Sequence, residues 1–419
     1  MSSTTVVTDA SEKTIRAIFE FAMRIGREQR VDELVRLNAD FARDLSGADR
    51  CSLWLIDERS NELWTKIAHG TAPLRIPVGS GLIGTSISED RTLLVNDAQG
   101  DERFLGRVDN SNGYCTRQVL CMPLHASGRV IGALQLLNKL GGFTNADVGI
   151  LGLLAQFAAS AIENERLRQE AENSMLIKHE LELAQEVQAR LLPECPVGVA
   201  GLECVGFCRP ARSIGGDYYD LLPLQDGRFA FTLGDVSGKG VPAAVMMASI
   251  QTLLRNSLLQ SNLNSLNTVL ADLNRTLYAS STPERYSTLF CGIISADRST
   301  LAYINAGHVS PLLLHLDGSL ERLPGGGLPI GLLPQYTNEE SSISLAPGDI
   351  LVVVSDGIIE ACNKSGEFRE EQEVERTLLN YSPQSPLQRL PALLCDAVDS
   401  FAAGAEQYDD MTVIAFRIG

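Results

Sequence analysis

Five aspartates carry the first chemical signal in the chain. Asp217 lies in IGGDYYD (214–220), Asp235 closes the apolar run FAFTLGD (229–235), and Asp356 closes ILVVVSD (350–356). Asp409 and Asp410 stand just before the last apolar run, in QYDDMTVIAF (407–416). Each alone reads as a turn former or helix cap. Together, at the ends of runs that belong inside a protein, they ask for a different explanation. A carboxylate at the end of a buried strand is costly to desolvate unless it is paired or binds a cation. Clustered carboxylates also repel and raise each other's pKa unless a cation neutralises them. Ligands that are all oxygen suit a hard cation, magnesium or manganese, rather than zinc or copper.

A competing reading of the same stretch is a nucleotide cradle, because GDVSGKG (234–240) holds Gly-Lys in a glycine-rich loop. A phosphate-binding loop needs GxxxxGK followed by Ser or Thr. Here the first glycine is one residue too close, and Gly240 replaces the hydroxyl that would touch magnesium. The cradle fails on both counts, so Asp235 is the informative residue of the loop. Lys239 either attracts a phosphate or is a solvated cation. Arg209 and Arg212, just before GGDYYD, are candidates to hold a substrate phosphate.

The elements that must position these acids can be read from periodicity. From about residue 199 the runs 229–235, 288–296, 301–307, 349–357 and 411–418 read as strands. The stretches 241–260, 265–280 and 387–404 read as helices. Continuous apolar strands suit sheets covered on both faces. They do not alternate singly with helices, which argues against a doubly wound parallel sheet.

Upstream, residues 13–45 show helical spacing at Ile15, Ile18, Phe19, Ala22 and Ile25, then at Leu34, Leu37 and Phe41. Residues 1–12 are polar and expected to be loose. Strands follow at 51–57 and 62–70, and a hairpin at 119–139 turns around Ser127-Gly128. A helical pattern begins near Ala146 and runs to Leu192, where Pro193 stops it. Its later part carries Leu167, Ser174, Ile177, Leu181, Ala184 and Leu191 near a heptad seam, with gaps at Glu170 and Gln188. Two readings fit it: a short parallel pairing of signalling helices, or a linker packed on its neighbours.

Bulk properties bound the rest. The chain has 419 residues, enough for two or three domains, with 44% hydrophobic and 21% charged residues. A net charge of −17 argues against nucleic acid, which needs a basic footprint. The nine cysteines are scattered without a CxxC pair, against a disulfide framework or structural zinc. No signal peptide and no apolar run of about 18 residues is visible, so a cytoplasmic protein that does not span a membrane is expected.

On these residues, 199–419 resembles a metal-dependent serine/threonine protein phosphatase of the SpoIIE-like branch of the type 2C (PPM) family. The matching pieces are GGDYYD (215–220), GDVSGKG (234–240), NAGHVSPLLL (305–314), GGLPIGLL (326–333), SDGIIEA (355–361) and DDMTVIAF (409–416), in the family's order. The resemblance implies an α-β-β-α sandwich with two divalent cations, Mn2+ or Mg2+, at one edge. By position, Asp217, Asp235, Asp356 and Asp409 would be ligands, with Asp235 bridging both ions and the Val236 carbonyl adding an oxygen. Asp410 is the alternative to Asp409. Gly238 and Gly240 would let the backbone pass close to the ions. His308 has the right chemistry for a general acid, but its Ala-Gly-His setting reads as a structural turn. The implied substrate is a phosphoserine or phosphothreonine on an anti-anti-sigma (STAS) protein.

Residues 13–165 resemble a GAF sensor domain, through 78–104 and 122–167. Asn138, Lys139, Phe143 and Asp147 match most of an Asn-Lys-Phe-Asp-Glu signature found in cyclic-nucleotide-binding relatives, with Val148 in place of the last residue. The default is a GAF fold used for dimerisation and relay of an unknown signal; cyclic-nucleotide binding is the alternative. A covalent bilin is disfavoured, since no Cys-His dipeptide occurs. The expected organisation is α/β (α+β): GAF domain 13–165, signalling helix 166–192 and phosphatase domain 193–419, working as a homodimer. Two other functions compete with catalysis: non-catalytic capture of a phosphoprotein, and ligand sensing as the main role.

Overall fold

The computed structural model describes residues 30–69, 73–106, 113–196, 198–260, 265–280 and 284–419, with Arg16, Phe19, Phe21 and Met23 before them. It divides into two compact units, Met1–Leu176 and Ile177–Gly419. The first part of the helix expected over 13–45, including Ile15, Ile18, Ala22 and Ile25, lies outside the described residues, as do residues 1–12.

In the first unit, the helix Val31–Ser46 stops at Gly47, which takes a left-handed conformation. An antiparallel sheet follows in the order β3-β2-β1-β6-β5-β4. Its strands are β1 (Ala48–Asp57), β2 (Glu62–Ala68), β3 (Arg75–Pro77), β4 (Leu93–Val95), β5 (Val119–Ala126) and β6 (Arg129–Lys139). Alternation sends Leu53, Leu120, Met122 and Leu124 to one face, against Val35, Ala39 and Ala42 of the first helix. It sends Trp54, Val119 and Cys121 to the other face, against Leu82, Ile83 and Ile87 of the helix Gly81–Ser88. The expected hairpin turns at Ser127 and Gly128, both with positive φ, which suits a two-residue connection.

The helix Asn145–Ala189 runs for 45 residues. One window of it is apolar and long enough to cross a bilayer. Leu151, Leu154, Ala155, Ala158, Ala159 and Ile162 nevertheless pack in the core of the first unit, which accounts for those apolar side chains.

The second unit is built on two antiparallel five-stranded sheets, β14-β11-β10-β9-β8 and β13-β12-β15-β16-β7, in which β12 is Leu312–Leu314, β13 Leu320–Arg322 and β14 Ser341–Ser344. The strands that matter for the site are β7 (Leu202–Arg209), β8 (Tyr218–Pro223), β9 (Phe229–Val236), β10 (Ser287–Ile294), β11 (Thr300–Ala306), β15 (Ile350–Val354) and β16 (Met411–Ile418). Inward residues of both sheets meet in one core: Phe231, Leu233, Phe290 and Tyr303 face Leu351, Val353, Ile414 and Phe416. The rings of Phe231 and Phe416 lie 4.4 Å apart across it. The opposite faces are covered too. Ala230 and Cys291 lie under Met247, Ile250 and Leu270 of the helices Val241–Leu258 and Leu266–Ser280. Val352 and Val413 lie under Val374, Leu378 and Leu394 of the helices Gln372–Leu379 and Leu390–Ala402. The result is an α-β-β-α sandwich, and burial on both faces is why the strands read as unbroken apolar runs.

The helix expected over 387–404 starts as a 3-10 turn, Leu387–Arg389, before Leu390–Ala402. Pro391 sits in the first turn, where its missing N–H costs no hydrogen bond.

Candidate functional site

Strand register brings the acids together. Asp217 is one residue before β8 and Asp235 is the next-to-last residue of β9; these strands pair with Tyr218 opposite Gly234. In the other sheet, Asp356 opens the short helix Asp356–Ile359 after β15, and Asp409 and Asp410 precede β16, with Val354 opposite Val413. The ends of two neighbouring strands from each sheet therefore meet at one edge of the sandwich. One bond between the sheets and one within a sheet hold them there. Thr412 Oγ1 donates to Asp217 Oδ2 at 2.5 Å, and Ser355 Oγ donates to the Asp410 carbonyl at 3.0 Å.

Close approach explains two glycines. A Cβ on Gly216 would lie 2.8 Å from the Val236 carbonyl and 3.2 Å from Asp235 Oδ1. One on Gly357 would lie 2.1 Å from the Asp410 carbonyl. Gly238 and Gly240 are glycines for a different reason within the chain itself. Nothing lies within 4 Å of a Cβ at either, and their positive φ values of 93° and 78° are what the loop needs from them.

The two adjacent aspartates have different work. Asp410 is buried, and its carboxylate is consumed by backbone: Oδ1 accepts from the Ala211 N–H at 2.8 Å, and Oδ2 from those of Gly216 and Asp217 at 2.7 and 3.3 Å. It clamps the loop 211–217. Asp409 Oδ1 accepts only the next N–H, at 2.9 Å, and Oδ2 pairs with Lys239 Nζ at 2.8 Å. Lys239 is thus not a free phosphate hook: it is exposed, as a solvated lysine would be, but its ammonium also donates to the Tyr408 carbonyl at 2.9 Å.

The electrostatics are those of crowded anions. Burial, then the charges of Asp356, Asp409 and Asp410, push the Asp235 carboxyl up to about 7. Burial, then Asp409, push Asp356 up to about 6. Asp217 is held well above the carboxylate range by burial and by Asp235 and Asp410. Its carboxyl group lies within reach of Ser355 and Asp235, yet its Oδ1 makes no well-formed hydrogen bond among the described residues. A buried acceptor left bare is costly, and a hard cation would satisfy it. Asp217, Asp235, Asp356, Asp409 and the Val236 carbonyl form an all-oxygen donor set that fits magnesium or manganese. Among the described residues, no three such side chains are already drawn into one ligand shell.

The remaining candidates separate. Arg209 is committed elsewhere, with its guanidinium on Asp399 at 2.6 and 2.9 Å and on Gln407 at 3.1 Å. Arg212 is exposed, has no ion pair among the described residues, and lines a small pocket with Gly215, Gly216, Lys239 and Asp409. His308 is buried, and burial drives its pKa down to about 4. Its Nδ1 meets Thr288 Oγ1 at 3.1 Å, and its N–H donates to Asn305 Oδ1 at 2.8 Å, which fits the structural turn.

In the first unit, the four signature residues staple the fold. Asn138 Oδ1 accepts the N–H groups of Arg117 and Gln118 at 2.8 and 3.2 Å, and its Nδ2 donates to the Cys115 carbonyl at 2.8 Å. Lys139 Nζ pairs with Asp147 Oδ1 at 2.5 Å, and Asp147 Oδ2 caps the long helix through the Thr144 N–H at 2.8 Å. Phe143 is in the core. None of the four lines the apolar cavity beside Trp54, Leu82, Ile83, Thr116 and Gln135. That cavity is about 80 Å³, against roughly 300–1,000 Å³ for usual small-molecule sites.

Residues 225–419 match the model of the stage II sporulation protein E (SpoIIE) family, and residues 30–162 match that of the GAF domain. Asp217 lies just outside the first match; the other four aspartates lie within it. Protein IcfG of Synechocystis sp. is 28% identical over 308 residues, covering 67% of this chain and 47% of IcfG. The phosphoserine phosphatase RsbU of Bacillus subtilis is 27% identical over 242 residues, covering 58% of this chain and 70% of RsbU. The chain therefore spans less than half the length of the first of these relatives. The solved SiaA-PP2C domain of Pseudomonas aeruginosa is 20% identical with a TM-score of 0.53, covering 59% of this chain and 100% of that domain, a likeness of fold.

Proposed function

Since the chain joins a GAF domain to a SpoIIE-type phosphatase domain, we propose that it hydrolyses phosphoserine or phosphothreonine on a regulatory protein. The observation that carries this reading is the meeting of Asp217, Asp235, Asp356 and Asp409 at one sheet edge, mutually repelling and with Asp217 Oδ1 bare. Those four and the Val236 carbonyl would hold two divalent cations, Mn2+ or Mg2+, with Asp235 shared between them. Bound cations at such a centre supply a water of lowered pKa and charge stabilisation for a phosphoryl group.

The chain's own residues do the positioning. Asp410 holds the loop that carries Asp217, and Thr412 orients the Asp217 carboxylate. Lys239 keeps Asp409 at the pocket. Arg212, exposed beside it, is placed to meet a phosphoryl oxygen. No serine, cysteine or histidine nucleophile is required, and His308, neutral near pH 7, stays structural.

By likeness to RsbU, the substrate is a phosphorylated serine on an anti-anti-sigma (STAS) protein in the cytoplasm. The GAF domain senses an unknown signal, and two copies pair along the long helix, whose side chains Leu167, Ile177 and Leu183 are exposed. The signature residues Asn138, Lys139 and Asp147 spend their polar groups inside the fold, which counts against a cyclic nucleotide. The test is phosphate release from a phosphoserine protein with Mn2+. Asp235→Asn and Asp356→Asn should each abolish it with the fold intact, and turnover surviving both sinks the reading.

A further inference from the structure

One of the gaps in the apolar seam of the long helix is Gln188. It is 9% exposed, although Leu183 and Val187 beside it are 49% and 64% exposed. A buried primary amide is tolerable only if both its ends are bonded. Both are. Its Nε2 donates to the Gly215 carbonyl at 2.7 Å, and its Oε1 accepts the Gly215 N–H at 3.1 Å. One side chain thus holds both backbone groups of one residue, as a neighbouring strand would.

Gly215 stands two residues before Asp217, in the loop that Asp410 clamps from the other side. A Cβ there would lie 2.1 Å from Asp410 Oδ2, so the loop is confined between carboxylate and amide. The chain just beyond Gln188 is also tied to the domain: Gln251 Nε2 donates to the Leu191 carbonyl at 2.8 Å, and Tyr219 OH to the Pro193 carbonyl at 3.3 Å.

We propose that Gln188 is a positioning residue for the loop bearing Asp217, holding that loop in the conformation that binds the cations. The proposal rests on the phosphatase reading. Gln188 touches neither substrate nor ion. Its two bonds fix the backbone of Gly215, and through Gly216 they fix where the Asp217 carboxylate points. Loss of the two bonds releases the loop. Asp217 then has to be ordered at the expense of cation binding.

The experiment is Mn2+ titration calorimetry on the full chain, wild type against Gln188→Ala and Gln188→Glu, with amide exchange at Gly215 and turnover of a phosphoserine protein. Gln188→Ala should bind Mn2+ about tenfold more weakly, exchange the Gly215 amide faster and lose kcat, with KM for the phosphoprotein unchanged. Gln188→Glu keeps an acceptor for the Gly215 N–H but sets a carboxylate oxygen against the Gly215 carbonyl, so its loss should be at least as large. A purely structural role would lower the unfolding midpoint and leave the Mn2+ affinity alone. Wild-type affinity and kcat in Gln188→Ala overturn the inference while leaving the phosphatase reading standing. If Gln188→Ala does not fold, Gln188→Glu carries the same comparison. A wild type that neither binds Mn2+ nor releases phosphate overturns the phosphatase reading, and this inference with it.

Discussion

Replacing Thr412 by valine removes one hydroxyl and almost no volume. Thr412 is fully buried, and among the described residues its hydroxyl is the one well-formed side-chain donor to Asp217. The Thr412 N–H bond to Ser355 Oγ survives the change. Without cations, burial and the neighbouring acids disfavour the charged form of Asp217, so the lost bond is valued at the ordinary range of about 0.5–1.5 kcal/mol. The unfolding midpoint should then fall by roughly 2–6 °C for a domain of this size. With cations bound, Asp217 is charged, and a hydrogen bond to a charge is worth about 1.5–3 kcal/mol. The difference, about 1 kcal/mol, couples the hydroxyl to the cation and corresponds to roughly fivefold weaker binding. Titration calorimetry with Mn2+ on wild type and Thr412→Val measures it. Equal affinities would refute the assignment of Asp217 as a ligand oriented by Thr412, whatever happened to the midpoint.

Other perturbations separate site from scaffold. Gly216→Ala would press a methyl against the Val236 carbonyl and Asp235 Oδ1; Mn2+ binding and turnover should be lost together, as calorimetry and phosphate release will show. Arg212→Ala should raise KM for the phosphoprotein and leave Mn2+ affinity unchanged. Arg209→Ala should leave KM unchanged and cost about 1 kcal/mol or less in urea unfolding, since its pair with Asp399 is half exposed. Burial lowers His308 from 6.5 to about 4, so the unfolded chain binds the extra proton between those values. Stability is then fully present above about pH 6.5 and is lost as pH falls toward 4, at about 1.4 kcal/mol per pH unit at most. His308→Gln should flatten that part of the profile in urea unfolding measured at several pH values.

The acids were legible because their strands are buried on both faces. Each run such as FAFTLGD or ILVVVSD is apolar throughout, so a terminal aspartate stands out. β7 and β8 were harder to see. β7 is an edge strand with polar residues, and its Gly206 looks like a turn. In the structure that glycine makes room for the ring of Tyr219, 2.5 Å from where a Cβ would sit. Roles that depend on distant partners were not readable. Asp409 and Asp410 are adjacent and identical in type. Only the fold shows that one is buried and consumed by backbone N–H groups while the other is partly exposed and paired with Lys239. Arg209 sits where a phosphate ligand would in sequence, but Asp399 takes it. Asn138, Lys139, Phe143 and Asp147 match a signature by type, yet their polar groups are spent on turns and a helix cap. Gln188 was visible as a gap in a seam, and its bond to Gly215, 27 residues away, was not.

The central claim is that the four aspartates form a cation-dependent phosphatase centre. Phosphate release from a phosphoserine protein, followed as Mn2+ is added to chelator-treated full-length chain, tests it most directly. The account predicts no release before Mn2+, saturable release after it, and none at any Mn2+ concentration for Asp235→Asn. Release in the presence of chelator, or Mn2+-dependent release by Asp235→Asn, would contradict it.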